Sequence, residues 1–405
     1  SYACAAGRNG GSTDIGVSGN QITVATTDVT TGVGAGFLGE AADGIQAAIN
    51  QANNVGGLCG RHVVLLPPQN DGWDGPSGAQ YINDYIQSKQ VFALVGEPDS
   101  EGLDAAVRSN IIDNGGIPVV GTDGMLASQY RDPWVWPVAA STVSNMHIIA
   151  KYAQSQFHAN KVGIVFDTQY KFGPEGAAAF QAEAGRLHEQ APGSSCSQGY
   201  CGVSSDQSDY STAINQFNAY CSPCDAVVLL LEPGPAEQWM REESNVSTSS
   251  WASHLFGGEP LFDDNVGTNC QNPCNGMTVW SGYEPYIQPF DQGQVATYCS
   301  ALHSVAPSDD CHNEFTEGAY IGTTMFIKAA EKAGPNLTRA NLRAALDSMT
   351  FASGMASNLQ YGGGLPHLAN TSMVAFADNF SGSFNGWNYL QSGFVGDPAP
   401  GQDMP

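Results

Sequence analysis

Val91-Phe-Ala-Leu-Val95 is an apolar, β-prone run that stops at Gly96. A polar loop, Glu97-Pro-Asp-Ser-Glu-Gly102, follows it, and then an amphipathic stretch from Leu103 to Asp113. A buried strand, a loop at its carboxyl end and a helix returning along the sheet form the repeating unit of an open α/β sheet. In such sheets ligands bind just outside the carboxyl ends of the strands, where loop amides and helix N-termini converge. The pattern recurs at Gly116-Ile-Pro-Val-Val-Gly121, which runs into the polar loop Thr122-Asp-Gly-Met125. The two loops read as one wall of a ligand site.

The same alternation runs through most of the chain. Residues 1–19 are rich in Gly, Ser and Asn and read as an arm. Strands are expected at 21–26, 61–66 and 91–95, with helices at 37–53, 78–89 and 103–113 between and after them. Pro133-Trp-Val-Trp-Pro-Val138 suits an edge strand or a crossing between domains, because its prolines cannot donate to a central ladder. A second series follows. It has helices at 145–157, 174–189, 210–220 and 236–243, strands at 161–166 and 225–231, and a further strand at 277–280. Helices are expected at 314–332 and at 338–349, with Thr338 as N-cap. The tail beyond 350 carries short aromatic strands at 373–376 and 387–390, a meander that closes a domain or crosses back to the second one. Repeated β-loop-α units imply parallel sheets with right-handed crossovers.

At 405 residues the chain exceeds what one core usually serves, so two domains are expected. Asp and Glu outnumber Lys and Arg by 39 to 14, a net charge of −25, which argues against binding nucleic acid or an anionic membrane surface. No apolar run is long enough to span a bilayer, and no signal peptide is visible, as in a mature exported chain. Eight of the ten cysteines fall into close pairs: Cys196/Cys201, Cys221/Cys224, Cys270/Cys274 and Cys299/Cys311. Disulfides in an oxidising compartment are the leading reading. Zinc bound by Cys221, Cys224, Cys270 and Cys274, and a redox dithiol at Cys221/Cys224, are the alternatives. Cys4 and Cys59 are left to each other by exclusion, and Cys4 could instead accept a lipid anchor.

Gly34-Ala-Gly-Phe-Leu-Gly39 fits a dinucleotide fingerprint between a strand and a helix. The next strand ends in Pro67-Pro-Gln-Asn70 and not in the acidic residue that would hold a ribose, so a ligand-facing glycine loop is the better reading. No G-x-S-x-G, H-E-x-x-H or G-x-x-x-x-G-K-[ST] occurs, and no two histidines are spaced as a local metal pair. Asp71, Asp74, Asp263 and Asp264 read as turn residues. Lys171 reads as a solvated loop lysine. No catalytic residue, metal or cofactor is expected.

Taken in order, Gln21-Ile-Thr-Val-Ala25, Asn53-Asn-Val-Gly-Gly-Leu-Cys-Gly-Arg61, Leu94-Val-Gly-Glu-Pro-Asp-Ser100 and Gly116-Ile-Pro-Val-Val-Gly121 resemble the type I periplasmic binding proteins of the branched-chain amino acid (Leu/Ile/Val) receptor group, which serve ABC importers. The resemblance runs from about residue 20 to 376. It implies two doubly wound parallel-sheet lobes joined by three hinge crossings, near 138–142, 281–286 and 352–360. Lobe 1 would be residues 1–140 plus 285–353, and lobe 2 residues 141–284 plus 354–405. The ligand would lie in the interlobe cleft. The positions matching the family's carboxylate-holding loops are Asp99, Ser100, Thr122, Asp123 and Gly124. Phe37 matches a lid residue, Tyr170 and Phe172 an aromatic wall, Glu232 a further contact, and Glu259 the acid that takes a ligand ammonium. Carboxylates at 99 and 123, where the family has small or hydroxyl residues, would repel a bare anion. The expected ligand is therefore an amino acid, amide or other polar organic molecule, captured outside the cell or in a periplasm and delivered to an ABC permease. Two alternatives stay open: a ligand-sensing ectodomain of the same fold, and a secreted enzyme on a doubly wound scaffold.

Overall fold

The computed structural model describes residues 8–246 and 249–405. The chain folds as two units, each with its own sheet. Unit 1 comprises residues up to Ala139, with Tyr283–Tyr286 and Phe290–Asn370; unit 2 comprises Ala140–Gly282, Ile287–Pro289 and Thr371–Pro405. Residues 354–370, expected in the second lobe, group with unit 1.

Unit 1 is built on five parallel strands. They are β1 (Gln21–Ala25), β2 (His62–Leu65), β3 (Ala93–Val95), β4 (Val119–Thr122) and β5 (Val135–Pro137), in spatial order β2-β1-β3-β4-β5. The aromatic Pro133–Val138 segment thus supplies an edge strand. Successive side chains on a strand point to opposite faces. Ile22, Val24, Ala93, Val95 and Val120 accordingly enter one core, and Ala25, Leu94, Val119 and Val135 the other. A sheet covered on both faces needs apolar residues on both, which is why these strands read as continuous apolar runs.

Two expected helices are broken. The first is a short turn, Ala35–Leu38, followed by Ala41–Asn54; the third is Ser100–Arg108 followed by Ile111–Gly115, with Asn110 left-handed at φ 58° between them. The helix Gly293–Val305 went unrecognised in the sequence. The long helix Glu314–Ala333 approaches the end of β4 at a glycine pair: a Cβ on Gly322 would lie 2.4 Å from the Gly121 carbonyl oxygen. Gly121 itself sits at φ +78°, where L side chains are strained.

Unit 2 has a seven-stranded sheet. Its strands are β6 (Val162–Asp167), β7 (Tyr200–Val203), β8 (Cys224–Leu230), β9 (Ala252–Gly257), β10 (Thr278–Ser281), β11 (Ser372–Phe380) and β12 (Phe384–Gly396), in spatial order β12-β11-β10-β9-β8-β6-β7. The first five are parallel as expected; the last two form a hairpin, and β11 runs antiparallel to β10, so the tail meander adds an antiparallel edge. The helices Thr142–Phe157, Phe172–Arg186, Ser211–Tyr220 and Pro233–Val246 complete the βα series.

Cys196–Cys201, Cys221–Cys224, Cys270–Cys274 and Cys299–Cys311 are disulfides, so the four thiolates of the zinc reading are already bonded in pairs. Cys59 is also disulfide-bonded; Cys4 lies outside the described residues. No helix among the described residues is long and apolar enough to cross a membrane.

Candidate functional site

In unit 1 the loops after β1, β3 and β4 carry a compact set of buried polar groups. Asp99 caps the helix Ser100–Arg108, accepting the Gly102 N–H at 3.0 Å. Its other oxygen receives the Thr27 hydroxyl at 3.2 Å and faces the Asp71 carboxyl, with which it shares a hydrogen bond. The close approach of Gly78 and Gly102 makes room for this pair, since a Cβ on Gly78 would lie 2.2 Å from Asp71 Oδ2 and 2.4 Å from Asp99 Oδ2. Thr27 also donates its N–H to the Glu97 carboxyl, and its hydroxyl oxygen is in hydrogen-bond contact with the other Glu97 oxygen, where a protonated Glu97 is the donor. Glu97 has no exposed surface. Burial pushes its pKa up to about 8 against the lowering effect of the Thr27 bonds. Burial, the Asp71 bond and the neighbouring charges hold Asp99 well above the carboxylate range. Asp28 is pushed up to about 6, again by burial first. Of these, Glu97 and Asp99 keep protons at neutral pH.

The other expected residues of unit 1 fall in the same region. The Ser100 hydroxyl accepts the Trp73 indole N–H at 3.1 Å. The Trp73 ring meets Phe37 edge-on at 5.4 Å, and Phe37 meets Phe315 at 4.9 Å. Phe37 is thus buried in an aromatic cluster. The glycine loop serves the same cluster, since a Cβ on Gly34 would lie 2.8 Å from the Trp73 ring. Thr122, Asp123 and Gly124 are held by Gln129. Its amide oxygen accepts from the Thr122 hydroxyl and from the Gly124 N–H, and its amide nitrogen donates to Asp123 at 2.9 Å. Gly124 is left-handed (φ +70°), and its carbonyl accepts the Tyr130 hydroxyl at 2.8 Å.

In unit 2 the matching loops follow β6, β8 and β9. Asp167, buried at the end of β6, accepts the N–H groups of Tyr170 at 2.8 Å and Ser205 at 2.9 Å. It also shares a hydrogen bond with Glu232, which has no exposed surface and follows the neighbouring strand β8. Burial raises the Asp167 pKa, opposed by those backbone bonds. Glu259 lies in the turn after β9 and is buried. Its carboxylate accepts the Thr142 hydroxyl at 2.6 Å, and its N–H donates to Asn145 at 3.2 Å. Phe172 is buried at the start of its helix, Tyr170 is half-buried before it, and Lys171 is exposed.

Sequence reasoning missed Glu97, Gln129, Asp167 and Thr142 as members of these clusters and took Asp71 for a turn residue only. A signal existed for one of them: Glu97 and Asp99 are two apart on an extended segment, which puts both on one face. Asp71 and Asp167 are brought to their partners by tertiary packing, which has no local spacing.

A family model for periplasmic binding proteins matches residues 21–375, and the chain belongs to that family. Its structure is similar to that of a possible leucine/isoleucine/valine-binding protein from Rhodopirellula baltica (TM-score 0.78, 15% identity, covering 93% of this chain and 97% of that one). It is also similar to a fatty acid ABC transporter substrate-binding protein from Thermomonospora curvata (0.79, 14%, 97% and 97%). A third is an ABC transporter solute-binding protein from R. palustris in complex with benzoate (0.72, 15%, 94% and 99%). The fold is the type I periplasmic-binding-protein fold. No curated protein matches the chain in sequence.

Proposed function

We propose that this protein is an exported solute receptor and not an enzyme. Its ligand is a small amine-, amide- or hydroxyl-bearing molecule, amino-acid-like in class, taken up by the strand-end loops and delivered to an ABC permease. The observation that carries the ligand class is Glu259, a buried carboxylate fixed by the Thr142 hydroxyl in a strand-end turn. A buried carboxylate held in place by neutral donors is well placed to take a ligand ammonium or amide N–H. Membership of the periplasmic binding protein family supports the receptor role. The protonated carboxyls of unit 1 support a ligand approached by donors and acceptors more than by a bare anion.

The test is a thermal-shift panel of amino acids, amides, polyols and short carboxylates on protein refolded to strip any co-purified ligand. A ligand at about 100 times its Kd adds roughly 2.7 kcal/mol of stability. Amines or amides should give that shift, and Glu259→Gln should weaken them by about 2 kcal/mol. A shift from carboxylates that lack any amine or amide, and from nothing else, overturns the ligand class. Substrate turnover abolished by Glu259→Gln overturns the receptor reading.

A further inference from the structure

The first turn of the helix Glu314–Ala333 carries acids into the interior of unit 1. Asn313 caps this helix, its side-chain oxygen accepting the N–H groups of Phe315 at 2.9 Å and Thr316 at 3.0 Å. Glu314 and Glu317 follow, three residues apart and so on one face. An acid in a first turn is favoured by the helix dipole and ordinarily stays in water. Here Glu314 is 3% exposed and Glu317 has no exposed surface. Two close approaches cover the turn. Gly44, on the helix Ala41–Asn54, lies so near the Thr316 carbonyl that a Cβ there would overlap it. Tyr283 rests on Gly318, where a Cβ would meet its hydroxyl oxygen at 2.9 Å.

This burial leaves polar atoms without partners. Neither carboxyl oxygen of Glu317 has a hydrogen-bond partner among the described residues. Nor does the hydroxyl of Tyr298, a fully buried residue on a different helix, Gly293–Val305. The Tyr298 ring lies 5.0 Å from the ring of Tyr320, one turn beyond Glu317. Tyr320 donates its hydroxyl to Gln51 at 2.6 Å, whereas the Tyr298 hydroxyl faces acids. Of the charged groups that act on it, Glu317 is the strongest, followed by Asp310, Glu40 and Asp309. The charges that act on Glu317 are those of Glu314 and half-buried Glu284. No Lys, Arg or His is among these groups.

A proton on Glu317 removes its charge but not this deficit, because the protonated carboxyl and the Tyr298 hydroxyl still lack partners. Buried polar groups in that condition are costly and rare. A bound cation meets both needs: it offsets the acids and takes lone pairs from carboxyl and phenol oxygens alike. The donors are oxygens only, with no thiolate or imidazole, which suits a hard cation and not zinc. Two buried carboxyls match a divalent charge. An irregular set of oxygens suits calcium better than magnesium, which demands a regular octahedron.

We propose that Glu314, Glu317 and the Tyr298 hydroxyl bind a calcium ion, with water or backbone oxygens completing its shell. None of these donors belongs to the strand-end loops, so the site is separate from whatever those loops take up. It lies beside the segment Tyr283–Tyr286 of unit 1, whose Glu284 N–H donates to the Met355 carbonyl at 2.7 Å. The ion braces that segment against the helix.

The test uses the intact protein, freed of metal by dialysis against a chelator, in about 0.15 M salt to screen diffuse attraction to so acidic a chain. Calorimetric titration with calcium chloride should show saturable binding, and the thermal midpoint should rise with it. Magnesium chloride, titrated separately, should bind more weakly. Glu317→Gln should weaken calcium about tenfold or more. Tyr298→Phe removes a hydroxyl that has no partner, so the metal-free protein should be no less stable, while calcium should bind about threefold more weakly or worse. This variant carries the test if Glu317→Gln misfolds. Asp113→Asn, at an exposed acid of the same unit, should leave the titration unchanged. The proposal is overturned if calcium does not bind saturably, or if its binding survives both Glu317→Gln and Tyr298→Phe. It is also overturned if Asp113→Asn weakens calcium as much as they do, which would show diffuse binding only, or if magnesium binds more tightly than calcium.

Discussion

Both units place a carboxyl–carboxyl hydrogen bond, which needs one shared proton, beside their strand-end loops, Asp71 with Asp99 in unit 1 and Asp167 with Glu232 in unit 2, but the surroundings of the two pairs differ. Unit 1 adds a third buried acid, Glu97, to the same space, and its acids stay neutral by keeping protons. At its strand-end loops and its tail, unit 2 instead sets donors around Asp167, Glu259 and Asp397: two backbone N–H groups on Asp167, the Thr142 hydroxyl on Glu259, and His147 between Asp397 and Asp403; elsewhere in the unit Glu189 and Asp378 are raised by burial as Glu97 is. A buried carboxyl can be made tolerable by a proton or by donors, and each choice leaves its own pH signature.

The largest effect that would sharpen this contrast is expected at His147. The ring is fully buried with Asp397 at 2.9 Å and Asp403 at 2.8 Å. Burial alone would lower its pKa, but the two carboxylates raise it on balance. Its contribution is therefore complete below the ordinary value near 6.5 and fades as pH rises through the raised folded value. His147→Leu leaves Asp397 buried without its cation and should cost about 3 kcal/mol at pH 6. Chemical denaturation at pH 6 and pH 9 should show the loss shrinking at the higher pH. A loss independent of pH would mean that His147 is held neutral.

Unit 1 should show the opposite response to mutation. The folded pKa of Glu97, near 8, lies above its unfolded value, so folding takes up a proton between about pH 4.5 and 8 and stability falls as pH rises through that window. Glu97→Gln keeps the neutral shape and should gain on the order of 2 kcal/mol at pH 7 while flattening the slope. Destabilisation at pH 7 would show that Glu97 is ionised and that the proposed contrast between the units fails. A smaller change is expected from Thr142→Val, which removes a donor from Glu259 and should cost about 1.5 kcal/mol. Amide exchange should localise that loss to unit 2. Smallest are the helix caps. Thr338→Ala in unit 1 and Ser141→Ala in unit 2 each remove one side-chain cap, to Asn341 and Ser144 N–H respectively, and should each cost about 1 kcal/mol at any pH. Equal cap effects would confirm that the units differ in their acids and not in general fragility.

Most of the βα frame was legible because it is written in local periodicity: β1, β3, β6 and β8 lie within a residue or two of their expected places. The breaks at Gly39 and Asn110 were not, because the chain turns there to satisfy packing with no proline to mark the stop. The hairpin of β11 and β12 was half-visible as aromatic alternation, but its antiparallel docking on β10 is a long-range choice. At the candidate site, Glu259, Asp99 and Asp123 were proposed through the family's phrases. Their partners Thr142, Asp71 and Gln129 come from other elements or other turns, so no spacing announces them. Glu97 is the instructive case. It sits inside the stretch that most shapes the chain, and it was passed over because a glutamate in a loop looks solvated until the strands on both sides close over it.

Glu97 and Glu189 are pushed up to about 8, Asp378 to about 7 and Asp28 to about 6, each by burial first. In the open chain these groups return to values near 4. Denaturation at neutral pH is thus a proton-releasing reaction, and the folded protein is less negative than its formal charge of −25. The heat of unfolding read by calorimetry will then depend on the ionisation enthalpy of the buffer that receives those protons. Two laboratories using phosphate and Tris at the same pH would measure different enthalpies for the same fold.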